Sequence, residues 1–238
     1  MIRLSLFLLS FLTLATLDAQ KTHTDLALQA YLSADAATWN QAIAAATEIA
    51  DEKVRLQTLM AYHQQAIGSA MGRQDEAGID THIEALEEVI DAYWELDENN
   101  AAAHGHYSAL LGFKIARKPM SAMMYGRRAS SYAKSAYELD ATDPVAVLSI
   151  ASNLFYTPER WGGDRAKALD YVNKAVANLP AGWEHNMYVV DLLVMQGELL
   201  AAVGDTAGAR ESYERVLAVH PNHGYVGKYL LPKLDSKK

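Results

Sequence analysis

From residue 20 onward, apolar side chains recur every third or fourth position, and Ala, Leu, Glu and Lys dominate the chain. That spacing marks amphipathic helices. Nowhere after residue 20 does the chain show the every-second-residue alternation and β-branched enrichment of a half-buried strand. The pattern therefore predicts an all-α protein. Four of its helices end in similar segments: AYWELDEN at 92–99, SAYELDAT at 135–142, KAVANLPA at 174–181 and RVLAVHPN at 215–222. The equivalent slots Glu98, Ala141, Pro180 and Pro221 lie 43, 39 and 41 residues apart.

Upstream of each slot a small or apolar residue returns at two fixed offsets: Leu86 and Ile90, Ala129 and Ala133, Ala168 and Val172, Ala209 and Tyr213. The preceding helices carry a second pattern. Leu193, Gly197 and Leu200 have the W-x3-G-x2-Y spacing, Gly204-Asp205 makes the following turn, and Val147, Ile150, Ala151 and Leu154 fill the same slots one repeat earlier. With these residues, over roughly positions 24–221, the chain resembles tetratricopeptide-repeat (TPR) proteins, in which a small residue lets the second helix of a hairpin approach the first. The resemblance implies a right-handed superhelical array, an α-solenoid, of helix hairpins at about 24–50, 53–98, 101–141, 144–180 and 187–221, covered by a C-terminal helix within 223–233. The excess over 34 residues per repeat falls in two long turns, about nine residues around 118–126 (RKPMSAMMYG) and about five around 158–163 (PERWGG). A signal peptide ahead of such an array is similar to exported bacterial TPR proteins of undefined role.

The N-terminus reads MIRLSLFLLSFLTLATLDAQ, with Arg3, an apolar run from Leu4 to Leu14, and the small residue Ala19 before Gln20. This is the layout of a secretory signal peptide cleaved after Ala19, and the run is short for a membrane span. With no cysteine in the chain there is neither a lipobox nor a disulfide. The expectation is an exported, periplasmic protein of residues 20–238 without a membrane span. Its formal net charge of -8 argues against nucleic-acid or anionic-membrane partners.

Candidate chemistry gathers at the two long turns. Thr157-Pro158 stops a helix, Gly162 and Gly163 permit unusual backbone angles, and Asp164 caps the next helix. Trp161 is not needed by that account; it packs the turn or anchors a ligand. Lys114, Arg117, Lys118, Arg127 and Arg128 bracket the other turn, where they either fork onto an anionic partner or complement a helix C-terminus. Met120, Met123 and Met124 beside Tyr125 are either an adaptable binding surface or, the more usual use of methionine, fillers of core gaps; core is the expectation here. Among eight histidines, His104 and His106 face apart on a helix, and His220 with His223 lacks a third ligand, so no metal is expected. Hydrolase, metalloprotease and P-loop motifs are absent from the sequence, and no cofactor is implied.

The leading expectation is a non-enzymatic scaffold binding a protein or peptide segment on the first helices, with His104, Tyr107, Leu111 and Asn153 placed on that face by helix phase. The alternative is a small-ligand-binding protein of an envelope transport system, with Trp161, Tyr125 and the basic cluster forming one pocket. An enzyme with a scattered site ranks third, because no catalytic spacing occurs.

Overall fold

The computed structural model describes residues 23–235; the signal-peptide reading of residues 1–19 lies outside the described residues. Among them the protein is all-α, without a strand. The helices are α1 (23–33), α2 (Ala36–Ala46), α3 (Glu52–Arg73), α4 (Glu76–Trp94), α5 (Ala101–Arg117), α6 (Ala122–Leu139), α7 (Pro144–Tyr156), α8 (Arg165–Val176), α9 (Met187–Val203), α10 (Thr206–Val219) and α11 (Leu231–Asp235). A π-helical turn, Val226–Leu230, leads into α11.

Local chemistry fixes most helix starts. Asp51, Asp75, Asn100, Asp143, Asp164, Asn186 and Asp205 each accept a hydrogen bond from a first-turn backbone N–H, satisfying donors that have no partner inside the helix. Pro144 adds a pre-set φ at the first position of α7. The turn 158–163 forms as the sequence implies. Gly162 takes a φ of 96°, and a Cβ on Gly163 would sit 1.7 Å from the Thr157 carbonyl oxygen. Only glycine fits at that approach.

The turn 118–126 does not form as expected. A 3-10 turn, Pro119–Ser121, is followed at once by α6, so the extra residues lengthen a hairpin instead of looping out of it. Ser121 supplies no cap; its hydroxyl donates backwards to the Lys118 carbonyl at 2.7 Å.

Helices pack in neighbouring pairs, α3 with α4, α5 with α6, α7 with α8 and α9 with α10. Each first helix also touches the next first helix, α3 to α5 to α7 to α9, and each second helix touches the following first helix. All eight slot residues lie in these seams at 4 % exposure or less. The close approach is visible at Gly197, where an added Cβ would lie 2.2 Å from the Tyr213 ring.

The N-terminal helices also reach α9. Tyr31 of α1 and Gln65 of α3 both reach Asp191 of α9, and the Tyr188 hydroxyl donates to the Ala61 carbonyl at 3.0 Å across 127 residues. His106 of α5 meets the Tyr188 ring edge-on at 5.6 Å. The inward sides of α3, α5 and α9 therefore face one another at this level, where an extended open surface was expected.

Replacing Gly197 by Ala forces the buried Tyr213 ring to move and is expected to cost roughly 1 to 3 kcal/mol. A Cβ at Gly112 meets nothing within 4 Å. Gly112→Ala is expected to gain up to about 1 kcal/mol from reduced chain entropy. Urea denaturation midpoints of the two variants check both; a Gly197→Ala midpoint equal to the parent's contradicts the packing described.

Candidate functional site

A chain of hydrogen-bonded polar groups runs between α1, α3 and α9. His223 donates through Nε2 to the Tyr31 oxygen at 3.1 Å, Tyr31 donates to Asp191 Oδ1 at 2.6 Å, and Gln65 donates to Asp191 Oδ2 at 2.7 Å. Burial raises the Asp191 carboxyl, while the bonds from Tyr31 and Gln65 pull it down. Nearby, His106 donates to Gln64 Oε1 at 2.7 Å and is pushed down to about 3 by burial. His63, beside His82, and His223, beside His220, are each pushed down to about 4, mainly by burial. These groups tie the protein together.

Of the residues assigned to that inner face by helix phase, Leu111 and Tyr107 are buried, and His104 and Asn153 bond within the fold. Leu111 is fully buried in the core shared by α3, α4, α5 and α6, and Tyr107 is buried against Trp94 and Tyr132 at 4.8 and 4.6 Å. His104 is spent on Ser135 and the Glu98 carbonyl, both at 2.9 Å. Asn153 accepts from Ser130 of α6 at 3.0 Å. Their phase points each of them between the helices of adjoining hairpins, not into an open concavity, because α5 and α7 are covered on more than one side.

The basic cluster is also largely used. Lys114 pairs with Glu87, and Arg117 forks onto Asp80 at 2.9 and 3.0 Å and reaches Glu76. Both cations sit in the last turn of α5 and bind acids of α4. Arg128 donates to the Tyr107 hydroxyl, its guanidinium 5.4 Å from the ring centroid. Lys118 and Arg127 are exposed, and neither enters an ion pair among the described residues.

The methionines depart furthest from expectation. Met120, Met123 and Met124 are 84, 96 and 68 % exposed, not core. They stand on the 3-10 turn and the first turn of α6, above a groove of about 490 Å³. Its floor includes Ile83 and Tyr125, and Lys114, Arg117 and Lys118 line one side. Three neighbouring apolar side chains held in water are a surface that wants covering, and the unbranched thioether adapts to irregular partners.

The turn at 158–163 forms a separate, smaller groove of about 340 Å³ lined by Pro158, Gly163 and Asp164 among others. It shares no wall residue with the methionine groove, and the largely exposed Trp161 lines neither. Trp161 and Tyr125 are thus not parts of one pocket. Gly204, with φ 94°, and Asp205, which caps α10, act as turn and cap. Among the described residues no three His, Asp or Glu side chains are grouped to hold a metal ion, and no helix is long and apolar enough to cross a membrane.

Sequence reasoning passed over Asp191 and Glu198. The signal was present: they are the only charged residues of α9, MYVVDLLVMQGELLAAV, and stand two helical turns apart on one face. Compared with protein-family models and with curated proteins, the chain matches none.

The buried histidines set a pH dependence. Their folded values lie below the unfolded value of about 6.5, so the unfolded chain binds more protons and stability falls as pH drops from about 6.5 toward the folded values. Asp191, Asp143 and Glu198, raised by burial, act in the opposite sense over their own range. A His106→Gln variant keeps a donor for Gln64 and removes one titration. It is expected to shrink the stability loss between about pH 7 and pH 5 by roughly 1 to 2 kcal/mol, read from denaturation midpoints at each pH. An unchanged loss contradicts the burial of neutral His106.

Proposed function

We propose that the protein is a non-enzymatic interaction module, exported to the periplasm, that holds a protein or peptide segment on the outer surface of a TPR-like array. The paired helices, the contacts of each first helix with the next, and the buried small-residue slots support a right-handed array of TPR-like hairpins. The layout of residues 1–20 supports export.

One observation carries the docking surface: Met120, Met123 and Met124 project into water beside a groove, on a chain whose other large side chains are mostly covered. A partner with apolar anchors fills the groove between them, and acidic residues flanking those anchors meet Lys118 and Arg127 at its edge. Hydrophobic burial supplies affinity, and the rim charges steer and orient. Because Tyr31, Gln65, His106 and Asp191 are already paired within the chain, the outer shelf is the better candidate for a partner.

Exchanging Met120, Met123 and Met124 together for Gln should leave stability within about 0.5 kcal/mol, since none is buried. The same variant should lose a partner that the parent captures from envelope extract, while Trp161→Ala retains it. Equal capture by the parent and the triple variant places the docking surface elsewhere and contradicts this reading.

A further inference from the structure

Three thioethers border one groove, the space of about 490 Å³ above Ile83, and their spacing gathers them on one face. Met120 belongs to the 3-10 turn Pro119–Ser121, which runs straight into α6, and Met123 and Met124 occupy the first turn of that helix. Helical residues three and four apart have Cβ atoms about 5–6 Å from each other, and on a 3-10 turn the side chains at i and i+3 eclipse. Met123 and Met124 therefore straddle Met120 one turn further along, and the three side chains form a triangle. Each is unbranched with three rotatable bonds, which lets the sulfurs converge.

The hard donors at this groove are committed elsewhere. Arg117 forks onto Asp80 and reaches Glu76, Lys114 holds Glu87, and the Ser121 hydroxyl donates to the Lys118 carbonyl. The chain has no cysteine, so methionine alone supplies sulfur. What is left is a neutral, soft, all-thioether set. Such sulfur suits Cu(I), whereas imidazole and carboxylate oxygen suit the divalent ions. Charge selects in the same direction. Lys118 lines the groove and the positive end of α6 lies beneath Met123 and Met124, so every added unit of positive charge on a bound ion is penalised.

We propose that Met120, Met123 and Met124 form a binding site for a soft, closed-shell monovalent cation, Cu(I), through their three thioether sulfurs. Each sulfur donates one lone pair to the ion; no electron is transferred and no proton is displaced. The residues are those of the docking shelf, but the ion uses sulfur lone pairs where a partner uses apolar area. Site and docking are therefore separable by substitution.

Two titrations of the full chain test this: Cu(I), supplied without oxygen as its acetonitrile complex and followed by the methionine ε-methyl NMR signals, and Ag(I) nitrate in chloride-free buffer, followed by calorimetry. Cu(I) is expected to shift the methyls of Met120, Met123 and Met124 and to leave that of Met71, exposed on α3 and outside the groove, in place. Zn(II) should shift none of the three. Exchanging the three for Leu keeps an apolar shelf and removes the sulfurs, and it should weaken Ag(I) binding at least about tenfold. Met71→Leu should leave that affinity unchanged. None of the three shelf residues is buried, so the Leu variant folds as the parent does. It should also retain a partner captured through apolar contact, while the Gln variant loses both partner and ion, so the two readings fail separately. Unmoved shelf methyls at saturating Cu(I), equal Ag(I) affinity in the Leu variant, or the same three methyls shifted by Zn(II) overturns the proposal.

Discussion

The protein is organised around one carboxylate. Asp191 enters no ion pair among the described residues, and a carboxylate drawn out of water is tolerated only when its oxygens are hydrogen-bonded. Tyr31 and Gln65 do this from α1 and α3, and His223 completes the chain by donating to Tyr31 from beyond α10. Residues of α1, α3, α9 and the segment after α10 are thereby drawn to one point. Each partner is costly to remove because the others are then left buried without a mate. A stack of hairpins whose members would otherwise touch only their neighbours acquires contacts across 126 to 192 residues.

Closure redistributes what the surface can do. In an open array the first helices offer a curved inner face; here inward groups of α1, α3 and α9 bond to each other, and the exposed methionine shelf is the surface on which the proposed docking rests. Lys114 and Arg117, in the last turn of α5, pair with acids of α4 and so tie α4 to α5 under the shelf.

Much of the helical framework was legible because its determinants are local or periodic. Asp164 and Asp205 announce helix starts, Gly162 and Gly163 a sharp turn, and the slots from Leu86 to Tyr213 are small or apolar because two helices meet there. Three features were not legible, each for a physical reason. α6 begins without a side-chain cap, Ser121 bonding backwards, so its first turn read as loop and its methionines as core. The phase of His104, Tyr107 and Leu111 was ambiguous because α5 is covered on several sides, and such a helix has no single polar face. Closure depends on small rotations summed over successive hairpins, and no residue pair in the sequence advertises that Tyr31 will meet Asp191.

Small-angle X-ray scattering on the protein tests the central claim, that the helices close around Asp191. A closed array of this length should have a radius of gyration near that of a compact domain, about 17 Å. It should keep that value when Asp191 and Tyr31 are left intact and salt is raised, because the contacts are buried. A distinctly larger radius with an elongated distance distribution means that the hairpins form an open array, with the inner face exposed, and contradicts the account.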